Sequence, residues 1–394
     1  MTLIRDRISE KLLSSIQDTK PVKGLTHFFY RYPARFSPQF ARAAIECFSE
    51  AGDLVLDPFM GSGTTIIESR VLGRRSIGTD ISQLACFIAK VKSSVYTSKE
   101  LSEFENWAQS INASTKDGHA EASQPPNRNL HTKETWPVRA AIERILNSTH
   151  SLNSPKLMNL ARCAILKTSQ WALDCRSVIP SAADFRLRFQ ADVEEMSKGA
   201  LEFSLAAKRA DRSNHNSPPL APVLLNRSVI GMEEDPMIKT LPVPDLLLTS
   251  PPYPGVHILY HRWQIQGRKE TDAPFWISNT NDGAGASFYT FGDRKNKSGN
   301  QYFSMLLKAF TSLAMISGEK TWVVQLVSFS DPRQQLHRYL HTMAEAGFQE
   351  IFFSNSSSSD DGRIWRVIPN RKWYNNSSVR QSSKLEVVLF HRLA

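Results

Sequence analysis

Hydrophobic positions in the first hundred residues follow helical and strand patterns in turn. Apolar residues recur at helical spacing from Pro38 to Phe48, and the short apolar run Leu54-Val55-Leu56 comes next. A helical pattern over about 64–72 leads to a short strand at 75–80, and a further helix is predicted over about 82–96. This alternation predicts an α/β fold, in which a parallel sheet carries helices on both faces.

The alternation stops in the middle of the chain. Residues 109–135 are rich in Asn, Ser, Thr, Gly and Pro, a composition typical of loops. Helical periodicity returns over 136–209, and a second polar break covers 211–222. The pattern predicts three regions: 1–108, a mainly helical insertion at 109–222, and 223–394.

Strand patterns resume after residue 222. The expected strands are 223–225, 245–248 and 322–327, with helices near 303–315 and 334–346 and a closing antiparallel pair at 350–353 and 385–391. Two polar loops are predicted at 279–301 and 354–383, and loops of this length in a compact domain are usually functional or disordered.

A glycine turn follows the first predicted strand. The run Asp57-Pro58-Phe59-Met60-Gly61-Ser62-Gly63-Thr64-Thr65 connects that strand to a helix, and Asp80 ends the next strand about twenty residues on. Glycines let the backbone turn tightly and approach a ligand, and a carboxylate at this spacing can accept both ribose hydroxyls. The run lacks the lysine of a phosphate-binding Walker loop and the third glycine of the dinucleotide fingerprint. The run therefore predicts a nucleotide-cofactor loop, and the missing third glycine weakens an assignment to NAD.

A second apolar strand, 245–248, runs into Thr249-Ser250-Pro251-Pro252-Tyr253. Ser250 Oγ and the Pro251 carbonyl are hydrogen-bond acceptors, and the two prolines restrict the backbone that carries them. Such acceptors favour the tetrahedral form of an exocyclic amine whose lone pair is otherwise delocalised into a base ring. Tyr253 offers a ring face on which a base could stack.

Together the two motifs resemble those of the DNA amino-methyltransferases, and Ser-Pro-Pro-Tyr resembles the form that methylates cytosine at N4. The resemblance implies a Rossmann-like class I methyltransferase sheet and S-adenosylmethionine as cofactor. It places the cofactor half in 1–108, a target-recognition region in 109–222, and the catalytic half in 223–394. The implied catalytic residues are Ser250, Pro251, Pro252 and Tyr253, and the implied cofactor-binding residues are Arg35, Phe36, Asp57, Phe59, Gly61, Ser62, Gly63, Thr64 and Asp80.

The same resemblance implies direct methyl transfer to a flipped-out base in double-stranded DNA. It also implies a bacterial or archaeal cytoplasmic protein, with a cognate restriction endonuclease or defence proteins as candidate partners. One departure concerns Leu225-Asn226-Arg227-Ser228, where many relatives carry an acid that lines the cofactor pocket. The contact to the adenine ring of the cofactor is therefore left open.

Charge and composition add three points. A formal net charge of +10 favours a polyanionic partner. The candidate DNA-binding residues are Arg262, Arg363, Arg366, Arg371 and Lys372, which lie among aromatic residues. Four widely spaced cysteines argue against a zinc site or a disulfide framework, so no metal is expected. No apolar stretch approaches the roughly 20 residues that cross a bilayer.

Other functions stay open at this point. An N6-adenine enzyme would use the same acceptors, although Asp or Asn usually stands where this chain has Ser250. RNA and protein-glutamine methyltransferases usually carry Asn there. A catalytically silent DNA-binding subunit is the alternative from another class, and an altered glycine loop would be expected in it.

Overall fold

A mixed, mostly parallel β-sheet lies at the centre of the molecule and positions the other elements. The computed structural model describes residues 7–18, 22–32, 37–113, 128–213, 220–254, 262–267, 269–283, 289–291, 299–355, 361–367 and 385–394. Arg35, Phe36, Arg371 and Lys372, four of the predicted site residues, lie outside the described residues.

Eight strands of the described chain form the central sheet. The strands, numbered along the chain, are β1 (Leu54–Asp57), β2 (Arg75–Asp80), β3 (Val223–Asn226), β4 (Leu246–Thr249), β5 (Trp263–Ile265), β6 (Lys269–Thr271), β7 (Trp322–Ser328), β8 (Phe348–Glu350), β9 (Ile364–Val367) and β10 (Leu385–Leu393). The sheet order is β3-β2-β1-β4-β7-β10-β8, with β9 also paired to β10, while β5 and β6 form a separate hairpin. Strands β3 to β7 of this order run parallel, and β10 is antiparallel to its neighbours.

Helices cover this sheet and form the insertion. They are α1 (Glu10–Ile16), α2 (Pro38–Phe48), α3 (Thr64–Val71), α4 (Gln83–Lys92), α5 (Ser98–Ala113), α6 (Trp136–Ser148), α7 (Pro155–Leu173), α8 (Ala182–Ser213), α9 (Pro236–Lys239), α10 (Ala273–Ser278), α11 (Asn300–Ile316) and α12 (Pro332–Glu345). The structure confirms the predicted Rossmann-like α/β sheet with a helical insertion between its two halves.

The central strands bring four polar residues to one edge of the sheet. Every residue of β1, β4 and β7 is buried, as expected of parallel strands covered on both faces. Asp57, Asp80, Asn226 and Thr249 each end one of four adjacent parallel strands. The carboxyl ends of parallel strands meet at one edge, where open α/β sheets bind their ligands.

The helical insertion packs against helix α3, which follows the first strand of the central sheet. The 32-residue helix α8 reaches α3, where Phe203 and Ala207 contact Ile67. At the same contact Arg70 and Asp211 form a two-pronged ion pair with distances of 2.8 and 2.6 Å. The predicted boundary between residues 108 and 109 falls inside α5, whereas the boundary at 222/223 coincides with the start of β3.

Two short pieces of β-structure lie where the sequence pattern predicts loops or no element. Strand β9 falls within the predicted loop 354–383, and it pairs antiparallel with β10. Hairpin β5–β6 has only three residues in each strand and packs beside the end of α7. The predicted strand at 350–353 is shifted, since β8 ends at Glu350. Strands this short give almost no periodicity, so tertiary pairing decides them.

Candidate active site

The glycine loop between β1 and α3 has a backbone that only glycine adopts without strain. Gly61 and Gly63 have φ angles of +48° and +77°. A Cβ atom on Gly63 would lie 2.9 Å from Ala89 Cβ on α4, and one on Gly61 would lie 3.2 Å from the Tyr32 ring. Helix α4 also supports the loop through buried Lys92, whose Nζ donates to the Ser62 carbonyl at 2.9 Å.

Asp80 fixes the loop from the neighbouring strand. Its Oδ2 accepts from the Gly61 amide at 2.9 Å, and its Oδ1 accepts from the Ser82 amide at 2.8 Å. Burial raises the pKa of Asp80 to about 6, although these two amide bonds favour its charged form. Asp80 therefore holds the glycine turn and presents carboxylate lone pairs to the adjoining cavity.

Asp57 joins the loop to the second motif. Thr249 Oγ1 donates to Asp57 Oδ1 at 3.0 Å, and the Phe59 amide donates to the same oxygen at 3.2 Å. Burial raises the pKa of Asp57 to about 7, and the hydrogen bonds from Thr249 and Phe59 oppose that shift. A residue at the end of β1 is thus bonded to the residue that precedes Ser250.

A cavity of about 570 Å³ opens at this edge of the sheet. It is lined by Tyr32, Asp57, Pro58, Phe59, Met60, Gly61, Ser62, Thr64, Asp80, Ile81, Gln83, Asn226, Arg227, Ser228, Val229, Ser250, Pro252, Tyr289, Thr290, Phe291 and Met305. Most predicted cofactor residues within the described chain are in this lining, and Gly63 lies behind them as the N-cap of α3. Of the predicted catalytic residues, the lining contains Ser250 and Pro252.

Several lining residues have no clear signal in the sequence. The segment Asn226 to Val229 forms one wall, where the pattern shows only that an expected acid is missing. Phe291, from a segment predicted as a polar loop, meets Phe59 edge to face with ring centroids 5.6 Å apart. The aromatic character of this residue is visible in the sequence, but its contact with the glycine loop depends on the tertiary fold.

The Ser-Pro-Pro-Tyr corner is held by side-chain hydrogen bonds. Ser250 Oγ donates to the Tyr253 hydroxyl at 2.8 Å, and that hydroxyl donates to Glu386 Oε1 at 2.8 Å. Tyr302 on α11 donates its hydroxyl proton to the Pro252 carbonyl at 2.7 Å. Tyr253 is only 8% exposed, so the ring face expected to stack on a base is covered in this conformation.

The described basic residues predicted to bind DNA are engaged by carboxylates. Arg262 donates to Asp282 at 3.0 and 2.8 Å. Arg363 donates two 2.7 Å bonds to Glu350. Arg366 corrects the prediction most clearly, because its side chain is 3% exposed and its partner is Glu386 at 2.7 Å. A guanidinium buried within the sheet does not present its charge to a phosphate backbone.

The donor set of the cavity fits S-adenosylmethionine. Asp80 supplies a carboxylate suited to ribose hydroxyls, and the bare backbone of Gly61 admits a ligand closely. Phe59, Met60 and Phe291 provide apolar surface for a flat ring system. Among the described residues, no group of three or more His, Cys, Asp or Glu side chains could hold a metal ion. No helix of the described chain is long and apolar enough to cross a membrane.

Comparison with known proteins agrees with this chemistry. A family described as DNA methylase matches residues 7–91. The chain is 40% identical over 90 residues to the Type II methyltransferase M.MjaII of Methanocaldococcus jannaschii, an alignment that covers 23% of this chain and 16% of that protein. It is 34% identical over 104 residues to the Type II methyltransferase M.MvaI of Kocuria varians, which covers 25% of this chain and 23% of the relative.

One relative acts on RNA by its name. The tRNA (guanine(10)-N2)-dimethyltransferase of Methanothermobacter thermautotrophicus is 43% identical over 51 residues, covering 13% of this chain and 15% of that protein. The chain thus matches less than a quarter of the length of each of these relatives. The similarity supports a methyltransferase cofactor site more directly than it supports any one substrate.

Proposed function

We propose that the chain transfers a methyl group from S-adenosylmethionine to the N4 amino group of cytosine in double-stranded DNA. The observation that carries the proposal is the 3.0 Å hydrogen bond from Thr249 to Asp57, which couples the two motifs. Because of this coupling, Ser250 and Asp80 line a single cavity. A methyl donor held by the glycine loop and an amine held at the corner can therefore meet.

When bound, S-adenosylmethionine supplies an electrophilic methyl group on a sulfonium centre. The residues of the chain must hold the amine in line with that methyl group and make its nitrogen nucleophilic. Ser250 lines the cavity, and its hydroxyl oxygen can accept a hydrogen bond from an amino proton. Accepting that bond favours the tetrahedral nitrogen, and a preformed acceptor needs little rearrangement during transfer.

Base flipping is part of the proposal, because an exocyclic amine inside a duplex cannot enter an enclosed cavity. Tyr253 is the proposed stacking partner for the flipped base. Since its ring is covered in the described conformation, stacking requires the residues that cover the ring to move when DNA binds, while the Tyr253 hydroxyl keeps its hydrogen bonds. Pro252, which lines the cavity, is already placed to contact the base.

Cytosine is favoured over adenine by the residue before the two prolines. Ser250 is a neutral acceptor, suited to an amine that needs polarisation more than proton removal. Adenine N6 is the nearest alternative, since it is also an exocyclic amine and would use the same acceptor. The description of the matching family as DNA methylase favours DNA as the substrate. The proposal includes a restriction endonuclease as the protein partner.

Product analysis tests the proposal directly. The protein is incubated with genomic DNA and methyl-labelled cofactor, and the nucleosides are then separated by mass spectrometry. We expect the label in N4-methylcytosine. Label in N6-methyladenine would reject the cytosine assignment and keep the mechanism, whereas label found only in RNA would reject the DNA substrate as well.

The cofactor site has its own test. Asp80→Ala removes the carboxylate from the cavity and the acceptor of the Gly61 amide, so the cofactor dissociation constant should rise at least tenfold, about 1.4 kcal/mol. Asp245→Ala is the matched control, because that carboxylate accepts from the Leu54 amide at the opposite edge of the sheet. Equal affinities for both variants, measured by calorimetry, would reject the assignment.

A further inference from the structure

A chain of four side chains extends from the cavity into the sheet. Ser250 Oγ donates to the Tyr253 hydroxyl at 2.8 Å, and Tyr253 donates to Glu386 Oε1 at 2.8 Å. Glu386 lies on β10, and its Oε2 accepts from Arg366 on β9 through Nε at 2.8 Å and Nη2 at 2.7 Å. Glu386 and Arg366 are both buried, so the inner end of this hydrogen-bond network is isolated from bulk water.

The ion pair at the inner end fixes the direction of every hydrogen bond. An arginine guanidinium has only donors, and a carboxylate paired with it has only acceptors. Tyr253 must therefore donate its single proton to Glu386. Its phenolic oxygen is then available to Ser250 as an acceptor, and Ser250 uses its own single proton for that bond.

The consequence for the cavity concerns the lone pairs of Ser250. A serine hydroxyl alone can either donate or accept, and rotation interconverts the two at little cost. With its proton held by Tyr253, Ser250 presents only lone pairs to a ligand. An aspartate at the same position would be acceptor-only by its own chemistry when ionised, whereas a serine requires partners that hold its proton.

We propose that Glu386 and Arg366 are positioning residues that make Ser250 an obligate hydrogen-bond acceptor, so that the site selects ligands presenting an N–H group. The inference rests on the proposed function, since it takes the amine at the corner to be the methyl acceptor. It also assigns Arg366 a role inside the protein in place of the predicted DNA contact. A base with a carbonyl oxygen in place of the amine would face the lone pairs of Ser250 without a donor.

Three variants test the direction of these hydrogen bonds by single-turnover methylation of DNA. Tyr253→Phe removes the hydroxyl that holds the Ser250 proton, and we expect the transfer rate to fall about tenfold. Glu386→Gln should cost more, about a hundredfold. Because Arg366 can only donate, the amide oxygen of the new side chain must face Arg366 and its NH₂ group must face Tyr253. That NH₂ group donates to Tyr253, so the direction of the hydrogen bonds along the network is reversed. Cofactor affinity should be unchanged in both variants.

The third variant, Ser250→Ala, separates positioning from general stability. In a Ser250→Ala background, Tyr253→Phe and Glu386→Gln should each change the remaining rate less than twofold, because the acceptor they orient is gone. Tyr339→Phe is the matched control: it removes a buried hydroxyl from the same hydrophobic core, where that hydroxyl donates to Gln325. Full additivity with Ser250→Ala, or an equal loss in Tyr339→Phe, would overturn the inference.

Neutron diffraction gives a readout that needs no activity. Crystals of the full chain in heavy water should show the Ser250 deuteron directed at Tyr253 and the Tyr253 deuteron directed at Glu386. A Ser250 deuteron directed into the cavity would overturn the inference whatever the enzyme methylates. If wild-type protein transfers no methyl group to DNA, the proposed function fails. The deuteron positions still decide whether Ser250 donates to Tyr253 and Tyr253 donates to Glu386.

Discussion

The glycine loop and the Ser-Pro-Pro-Tyr corner line the same cavity, and they are organised in different ways. The loop is shaped by backbone conformation, with two glycines at positive φ, and by Asp80 only 19 residues from Gly61. The corner is held by side chains far along the chain, since Glu386 is 133 residues from Tyr253. The glycine loop is a local structure that a short stretch of sequence encodes, whereas the corner is assembled only when the sheet has folded.

This contrast predicts different sensitivities to mutation. A change at a glycine of the loop should impair folding and cofactor binding together, because the glycine backbone shapes both the turn and the ligand site. A change behind the corner should leave the fold and the cofactor in place and reduce the transfer rate. Three variants test this difference, and they follow in order of expected effect.

The largest effect is expected from Gly63→Val. Its φ of +77° strains any β-branched residue, and its Cβ would lie 2.9 Å from Ala89 Cβ, so either α4 or the loop must shift. We expect cofactor affinity to fall more than a hundredfold and stability to fall by about 3 kcal/mol. Calorimetry and thermal unfolding measure the two losses.

The matched control for that change is Gly267→Val in the turn of hairpin β5–β6. Gly267 also has a positive φ, of +103°, but no atom lies within 4 Å of its added Cβ. It should therefore cost stability only through backbone strain, about 1–2 kcal/mol, and leave cofactor affinity unchanged. Equal loss of affinity in both variants would show that the loop is not a special site.

The sequence predicts these two regions to different degrees for the same physical reason. The glycine loop, Asp80 and β2 follow from residues close together, where glycine and strand patterns act directly. Arg366 shows the opposite case. Its basic and aromatic neighbours suggest a DNA contact, but β9 pairs with β10 and brings it to Glu386. The sequence shows that a residue is charged, but the role of the charge depends on a partner that is known only from the fold.

Aromatic residues near the cavity show the same limit. Tyr253 is predicted as a stacking face, and the structure turns its hydroxyl into the sheet and covers its ring. Tyr302 lies between the predicted loop 279–301 and the predicted helix near 303–315 with no signal for a site, yet its hydroxyl donates to the Pro252 carbonyl. In both cases the hydrogen-bond partner is far along the chain, 133 residues away for Tyr253 and 50 residues away for Tyr302.

The next effect in size concerns pH and Asp57. Burial raises the pKa of Asp57 from an ordinary 3.8 to about 7, so the folded chain binds this proton more tightly than the unfolded chain. The stability from that proton is present below about pH 4 and is lost as pH rises through 7. Asp57→Asn keeps an oxygen acceptor for Thr249 and Phe59 without the ionisation.

We therefore expect Asp57→Asn to stabilise the protein by at most about 4 kcal/mol at pH 8 and by less than about 1 kcal/mol at pH 4. The same variant should weaken cofactor binding, because it removes a carboxylate that lines the cavity. A change that stabilises a protein often reduces its function in this way. Thermal unfolding across pH 4–8 measures the first effect. A stabilisation that does not vary with pH would contradict the assigned ionisation of Asp57.

The smallest effect is expected from Tyr302→Phe, which removes a single hydrogen bond behind the corner. The Tyr302 hydroxyl is buried on α11 and donates to the Pro252 carbonyl at 2.7 Å, so it fixes the backbone between the two prolines and Tyr253. Phenylalanine preserves the ring contacts with Phe303 and Phe291, which leaves the fold and the aromatic wall of the cavity in place. Losing one positioning bond is worth about 1 kcal/mol, so the single-turnover transfer rate should fall roughly fivefold to tenfold while the cofactor dissociation constant stays unchanged. A Tyr302→Phe variant that loses cofactor affinity and keeps its transfer rate would contradict this contrast between the glycine loop and the corner. Tyr302 would then support the cofactor site, and the hydrogen bond to Glu386 would be the one that holds the corner.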